Sequence, residues 1–190
     1  MNPPKVFLNV LLVFMLSSSF ISYDDQDKKK IVADKAVSEI TYSMVHPLHE
    51  WTGTSKDING IIIYHEEESR IESVAISVLL STFDSKNSNR DSHALEVLDA
   101  IKYPTVKFSS NNIQKNGDDI TITGNLVFHN VTKPVTITAK QTKDKKKLWV
   151  TGSFNVDITE YQIEQPSLMG FKAEKEIGMN FKIAFPITDK

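Results

Sequence analysis

Two clusters of side chains in this chain could do chemistry. The first is His46-Pro47-Leu48-His49-Glu50, two imidazoles and a carboxylate close together. Such a set could hold zinc and activate a water for hydrolysis. The spacing argues against it. A helical zinc site sets its histidines four apart with Glu directly after the first, and in an extended chain residues three apart face opposite ways. The plainer alternative is a turn in which His46 is satisfied by backbone. The second cluster is Arg90, Asp91 and His93. Arg90 could grip a phosphate headgroup in fork geometry, with His93 beside it at a site mouth. The local alternative has Asp91 capping a helix, Arg90 pairing with a neighbouring acid and His93 covering a seam. Ser, His and Asp are plentiful, but no nucleophile elbow, phosphate loop, dinucleotide fingerprint or zinc-protease motif organises them. No catalytic residue, metal ligand or cofactor is assigned, and an enzyme is not expected. The chain has no cysteine, which excludes disulfides, thiolate metal sites and Cys nucleophiles.

The elements that would position these residues are strands. Ile177, Met179, Phe181, Ile183, Phe185 and Ile187 alternate with Gly178, Asn180, Lys182, Ala184 and Pro186. Side chains along a strand point to opposite faces in turn, so this segment has one greasy face. The same rhythm runs through 70–81, 119–129 and 148–158, and strands are predicted also at 35–45, 51–64, 105–113 and 135–142. That makes about eight strands. One helix is predicted around 91–100, with Ala94, Leu95, Leu98 and Ile101 at helical spacing, Asp91 or Ser92 at its start and Tyr103-Pro104 as its stop. Eight antiparallel strands can close into a barrel wide enough for one small ligand, whereas a two-sheet sandwich shows the same alternation around a solid core. The length of the last strand favours an elongated interior. Eleven alternating residues reach about 35 Å.

The 190 residues suit one domain, and a net charge of −2 implies neither an acidic nor a basic partner. Lys and Arg are scattered, so no nucleic acid is expected. Residues 6–16 are apolar apart from Asn9, then come Ser17, Ser18 and Ser19 and a charged run at 24–30. A short apolar core, small residues and then charge predict a cleaved signal peptide over 1–22, with Ser17 and Ser19 at the cleavage positions. A disordered linker is expected over 23–34 and the folded domain over 35–190. Export without disulfides suits a bacterial periplasm. Lys143, Lys145, Lys146 and Lys147 read as a solvated hairpin tip, with weak membrane-surface contact as the functional alternative.

Ser81-Thr82-Phe83-Asp84, Asn89-Arg90-Asp91-Ser92-His93-Ala94-Leu95 and Lys102-Tyr103-Pro104-Thr105-Val106-Lys107-Phe108-Ser109-Ser110 form one signature. Gly124-Asn125-Leu126-Val127-Phe128-His129-Asn130-Val131-Thr132-Lys133-Pro134-Val135 forms a second. Together they resemble the YceI-like family of lipocalin-like, polyisoprenoid-binding barrels, over roughly residue 35 to the end. Ala94 is an extra residue between His93 and Leu95, Leu98 and Ala100 replace the usual paired aromatics, and Glu160-Tyr161-Gln162-Ile163 stands where the family has Asp-Phe-Gly-Ile. The resemblance implies an all-β antiparallel barrel with one helix near its mouth, exported to the periplasm and holding an isoprenoid-type lipid. A hydrocarbon needs only an apolar wall, and the wall expected here is Phe108, Leu126, Phe128, Phe154, Val156, Met179, Phe181 and Ile183. Arg90 and His93 would face a headgroup at the mouth. The competing reading is a solid-cored interaction barrel without a ligand, and less favoured still is the hydrolase using His46, His49 and Glu50. A monomer and a homodimer are both compatible with these patterns.

Overall fold

The computed structural model describes residues 27–187. The leader expected over 1–22 lies outside the described residues. The fold is all-β with one helix. Its strands are β1 (Lys28–Val32), β2 (Glu39–His46), β3 (His49–Ser55), β4 (Ile58–His65), β5 (Arg70–Leu79), β6 (Thr105–Asn116), β7 (Asp119–Phe128), β8 (Val131–Asp144), β9 (Lys147–Asp157), β10 (Ser167–Leu168), β11 (Phe171–Lys172) and β12 (Glu176–Pro186). Helix α1 (Ser88–Val97) lies between β5 and β6. Ten strands form one antiparallel sheet in the order β1-β4-β5-β6-β7-β8-β9-β12-β2-β3, and β10 and β11 make a separate small hairpin.

The sheet curls into a lipocalin-like barrel and meets itself along two short seams. At one, the Asp34 amide donates to the Ala184 carbonyl of β12, 2.8 Å away. At the other, Thr54 of β3 and Asp84 exchange backbone hydrogen bonds of 3.0 and 3.1 Å. β12 pairs with β9 along its whole length but with β2 only from Gly178 to Lys182. Long ladders between neighbours in sequence, joined by tight turns, account for most of the wall. His129 and Asn130 in the β7–β8 turn have φ of +48° and +60°, as a two-residue hairpin turn requires.

Three expectations differ from what is seen. Within the linker expected over 23–34, residues 28–32 form β1, which pairs with β4 and places Ile31 in the core. The lysines hid this: Lys29 reaches Glu66 at 2.5 Å and Lys28 lies 3.4 Å from Glu72, so a run of charge sits on an ordered strand. The stretch 51–64 divides into β3 and β4 at a turn where the Ser55 hydroxyl accepts from the Asp57 amide. The helix begins earlier than predicted. Asn87, not Asp91 or Ser92, is its cap, with its side chain accepting from the Arg90 amide.

Alternation turns the odd-numbered residues of β12 inward, and the inward residues form two apolar layers. The lower one, around Ile62, Ile120, Leu148 and Phe185, is almost fully buried. The upper one contains Met44, Leu126, Phe128, Val156, Tyr161 and Ile163. Phe108, Val135 and Phe154 touch both layers and are only partly buried. Incomplete burial of large aromatics at the centre of a barrel signals that the layers do not close on each other.

Candidate ligand cavity

Between the layers lies a cavity of about 240 Å³. All eight residues expected on the wall line it: Phe108 of β6, Leu126 and Phe128 of β7, Phe154 and Val156 of β9, and Met179, Phe181 and Ile183 of β12. Register explains their convergence. Met179 pairs with Phe154 and Phe181 with Gly152, so two adjacent strands present their rings to one space. Phe154 and Phe181 meet edge to face at a centroid distance of 6.3 Å. Gly152 is required here because a Cβ would lie 2.8 Å from the tip of the Phe181 ring.

The mouth is built from β2, β3 and the β5–β6 connection. The Tyr42 ring lies across Gly53, its cross-strand partner, where a Cβ would meet the ring at 2.4 Å. It packs edge-on against Phe83 at 5.6 Å, and burial pushes its hydroxyl up in pKa. Helix α1 covers this end with Ala94, Leu95, Val97 and Leu98, all facing the cavity and none fully buried. A helix seated on an unfilled space buries its apolar stripe only in part. Of the residues placed at helical spacing, Ile101 behaves differently. It lies beyond the helix end and is fully exposed.

Polar lining is confined to the mouth, at Tyr42, Trp51, Arg90, Asp91 and His93, with Lys107 nearby on β6. Arg90 does not pair with an acid. Its guanidinium stacks over Trp51 at 5.3 Å. Asp91 does not cap the helix but accepts from the Ser85 amide, tying down the segment before it. His93 sits on the outer rim with Nδ1 3.7 Å from Glu96. Arg90 and His93 are therefore both at the opening, one inward and one at its edge.

The zinc reading of His46, His49 and Glu50 fails on geometry. His46 is buried, with Nδ1 accepting from the Leu48 amide at 3.2 Å and Nε2 donating to the Phe171 carbonyl at 3.0 Å. Both ring nitrogens are occupied by backbone, the capped turn weighed as the alternative. Among the described residues no group of three His, Cys, Asp or Glu side chains could hold a metal. The lysine tip lies at the opposite, closed end, where Lys147 pairs with Asp34 at 2.9 Å.

Sequence reading missed Tyr42, Trp51 and Phe83, which shape the mouth. Tyr42 sits in an alternation visible in β2; Trp51 shares the inward face of β3 with Gly53 and Ser55, too small or polar to write an apolar period, and Phe83 stands in a connection.

The family model described as the YceI-like domain matches residues 32–187. Protein YceI of Salmonella newport and Protein YceI of Escherichia coli O17:K52:H18 are each 34% identical over 104 residues, 53% of this chain and 54% of theirs. The chain thus spans about half the length of the curated relatives it matches. The crystal structure of Burkholderia cenocepacia BcnA superposes with a TM-score of 0.72 at 15% identity, covering 80% of this chain and 98% of that one. A polyisoprenoid binding domain from Saccharophagus degradans, implicated in plant cell wall breakdown, superposes with a TM-score of 0.68 at 11% identity, covering 83% and 98%. These structural likenesses speak to the fold.

Proposed function

The chain belongs to the YceI-like family, and on that footing we propose that it is an exported lipid-binding protein, holding an elongated apolar ligand of isoprenoid or quinone type inside its barrel. It acts as carrier or reservoir, without catalysis, in the periplasm. One observation carries the reading: an apolar cavity at the barrel centre, edged by partly buried Phe108, Phe154 and Phe181, with polar groups gathered at one mouth.

The energetics fit such a guest. Removing hydrocarbon from water stabilises by about 0.8 kcal/mol per CH₂, so each five-carbon unit contributes about 4 kcal/mol without any directional partner. The wall supplies no directional partner. Arg90 and His93 would meet a headgroup left at the mouth, where Arg90 is already oriented by Trp51. The polyisoprenoid binding attributed to the Saccharophagus degradans domain supports the choice of ligand class.

The competing solid-cored barrel requires side chains where the cavity lies. Native mass spectrometry of the protein from its own host, followed by lipid extraction, separates the two. A bound mass in the isoprenoid range is expected. Protein carrying no lipid and refusing a fluorescent polyprenyl probe would end the carrier reading.

A further inference from the structure

The mouth of the barrel carries large apolar side chains that neither the core nor the cavity uses. Ile101 and Met169 are 101% and 82% exposed, and Leu48, Leu168 and Phe171 are about half exposed. They belong to three separate connections: the β2–β3 turn, the segment after α1 and the β10–β11 hairpin. Internal contacts place these connections at one end. His46 of β2 donates to Phe171, Arg90 of α1 stacks on Trp51 of β3, and Tyr103 packs against His129, whose ring bonds the Tyr161 carbonyl before the hairpin.

The opposite end differs in kind. Its tips read Glu66-Glu67-Glu68-Ser69, Asn116-Gly117-Asp118-Asp119 and Asp144-Lys145-Lys146-Lys147, all polar. Turn chemistry does not ask for the apolar tips either. Met169 and Gly170 have φ of +54° and +83°, a turn in which Asn-Gly is the comfortable pair, and a bulky residue is strained there. Nor does packing ask for them, since the Met169 side chain is almost wholly in solvent. Lys102 directly follows Ile101 and Lys172 directly follows Phe171, and both lysines are exposed. An apolar tip with a long amphipathic side chain at its shoulder matches the boundary between hydrocarbon and lipid headgroups.

We propose that this end of the barrel docks on a lipid bilayer, with Leu48, Ile101, Leu168, Met169 and Phe171 in the interface and the mouth beneath α1 facing the membrane. Choosing a bilayer over a second copy of the chain rests on the isoprenoid reading, because the bilayer is where such a ligand dissolves. Exposed Glu50, Glu96, Asp99, Glu164 and Glu174 share this end with the lysines, so the apolar tips rather than net charge supply the docking, by insertion.

The absence of cysteine permits a direct test in the full chain. The variants I101C, M169C and K146C each carry one polarity-sensitive acrylodan label, and vesicles of phosphatidylcholine with phosphatidylglycerol are added. Emission should shift to the blue at 101 and 169 and stay fixed at 146. The double variant I101D/M169D should bind these vesicles about tenfold more weakly or worse. It should still take up a soluble polyprenyl probe, since neither residue lines the cavity. No shift at 101 and 169, or an equal shift at 146, would overturn the proposal. So would a shift that grows with protein concentration in the absence of vesicles, which would assign the tips to a second copy. Probe uptake tests the carrier reading separately: a shift without uptake removes the carrier and leaves the docking, and uptake without a shift does the reverse.

Discussion

Phe181 and Phe185 sit two turns of the pleat apart on the same face of β12, yet replacing each by alanine should have different consequences. Phe185 is 1% exposed in the lower layer. Deleting such a ring removes its transfer energy and leaves a void, costing about 3–5 kcal/mol. Phe181 is only partly buried and faces the cavity. If about 100 Å² of its ring is covered, alanine forfeits about 2.5 kcal/mol at 25 cal/mol per Å². No new void is sealed, because the space is already there. A guest should notice the opposite order. Losing about 40 Å² of ring contact weakens binding by about 1 kcal/mol, or about fivefold. Urea unfolding of the two lipid-free variants gives the stabilities, and titration with a fluorescent polyprenyl probe gives the affinities. Equal stability losses, together with an unchanged probe affinity in F181A, would refute the cavity-wall assignment.

Asp157 accepts from the Thr159 amide and hydroxyl and lies 2.7 Å from Lys175. Lys175 and then Thr159 hold its carboxyl down to about 2. Because the folded value is depressed below the unfolded one near 3.8, this latch contributes fully above about pH 5 and is lost as pH falls toward 2. D157A should abolish that acid dependence and speed hydrogen exchange at the Ile158 and Ile163 amides at neutral pH; unchanged exchange would count against the latch. N87A should weaken the start of α1 by about 1 kcal/mol and accelerate probe uptake and release together, measured by stopped flow, with little change in affinity. Rates equal to those of the parent would mean that α1 does not gate the mouth. R90Q should alter Trp51 emission and reduce affinity for a polyprenyl diphosphate by about fivefold, sparing the neutral polyprenol. Equal effects on both ligands would remove the headgroup role.

Much of the wall was legible because half-buried strands carry their orientation in a period of two. Phe154, Val156, Met179, Phe181 and Ile183 could be placed inside from alternation alone, since a slip of one residue would have exposed them all. What alternation lacks is depth. It cannot distinguish Phe185, sealed in the lower layer, from Phe181 at the cavity, because both obey the same parity. The elements misread were those where local chemistry overrides pattern. β1 is short and written mostly in lysine, and only its pairing with β4 makes it a strand. Asn87 caps α1 because the chain before it is pinned through Ser85 and Asp91, a tertiary arrangement that spacing does not encode. The mouth residues Trp51 and Phe83 were invisible for a related reason: Trp51 shares its face of β3 with Gly53 and Ser55, which write no apolar period, and Phe83 sits in a connection.

The seam below Lys182 has its own consequence. There β12 leaves its ladder with β2, and β1 approaches with the Asp34–Ala184 bond rather than a continuous run of bonds. A hoop fastened by a full ladder has a fixed circumference; one fastened only at two short seams, by Asp34 and Ser38 on Ala184 and by Thr54 on Asp84, is held shut largely by the grip of its oily contents. Such a vessel adjusts its girth to what it carries and should sort guests by length rather than by thickness. Probes of equal length, branched and unbranched, are therefore expected to bind within about threefold of each other, and a strong preference between them would mean that the seam is rigid.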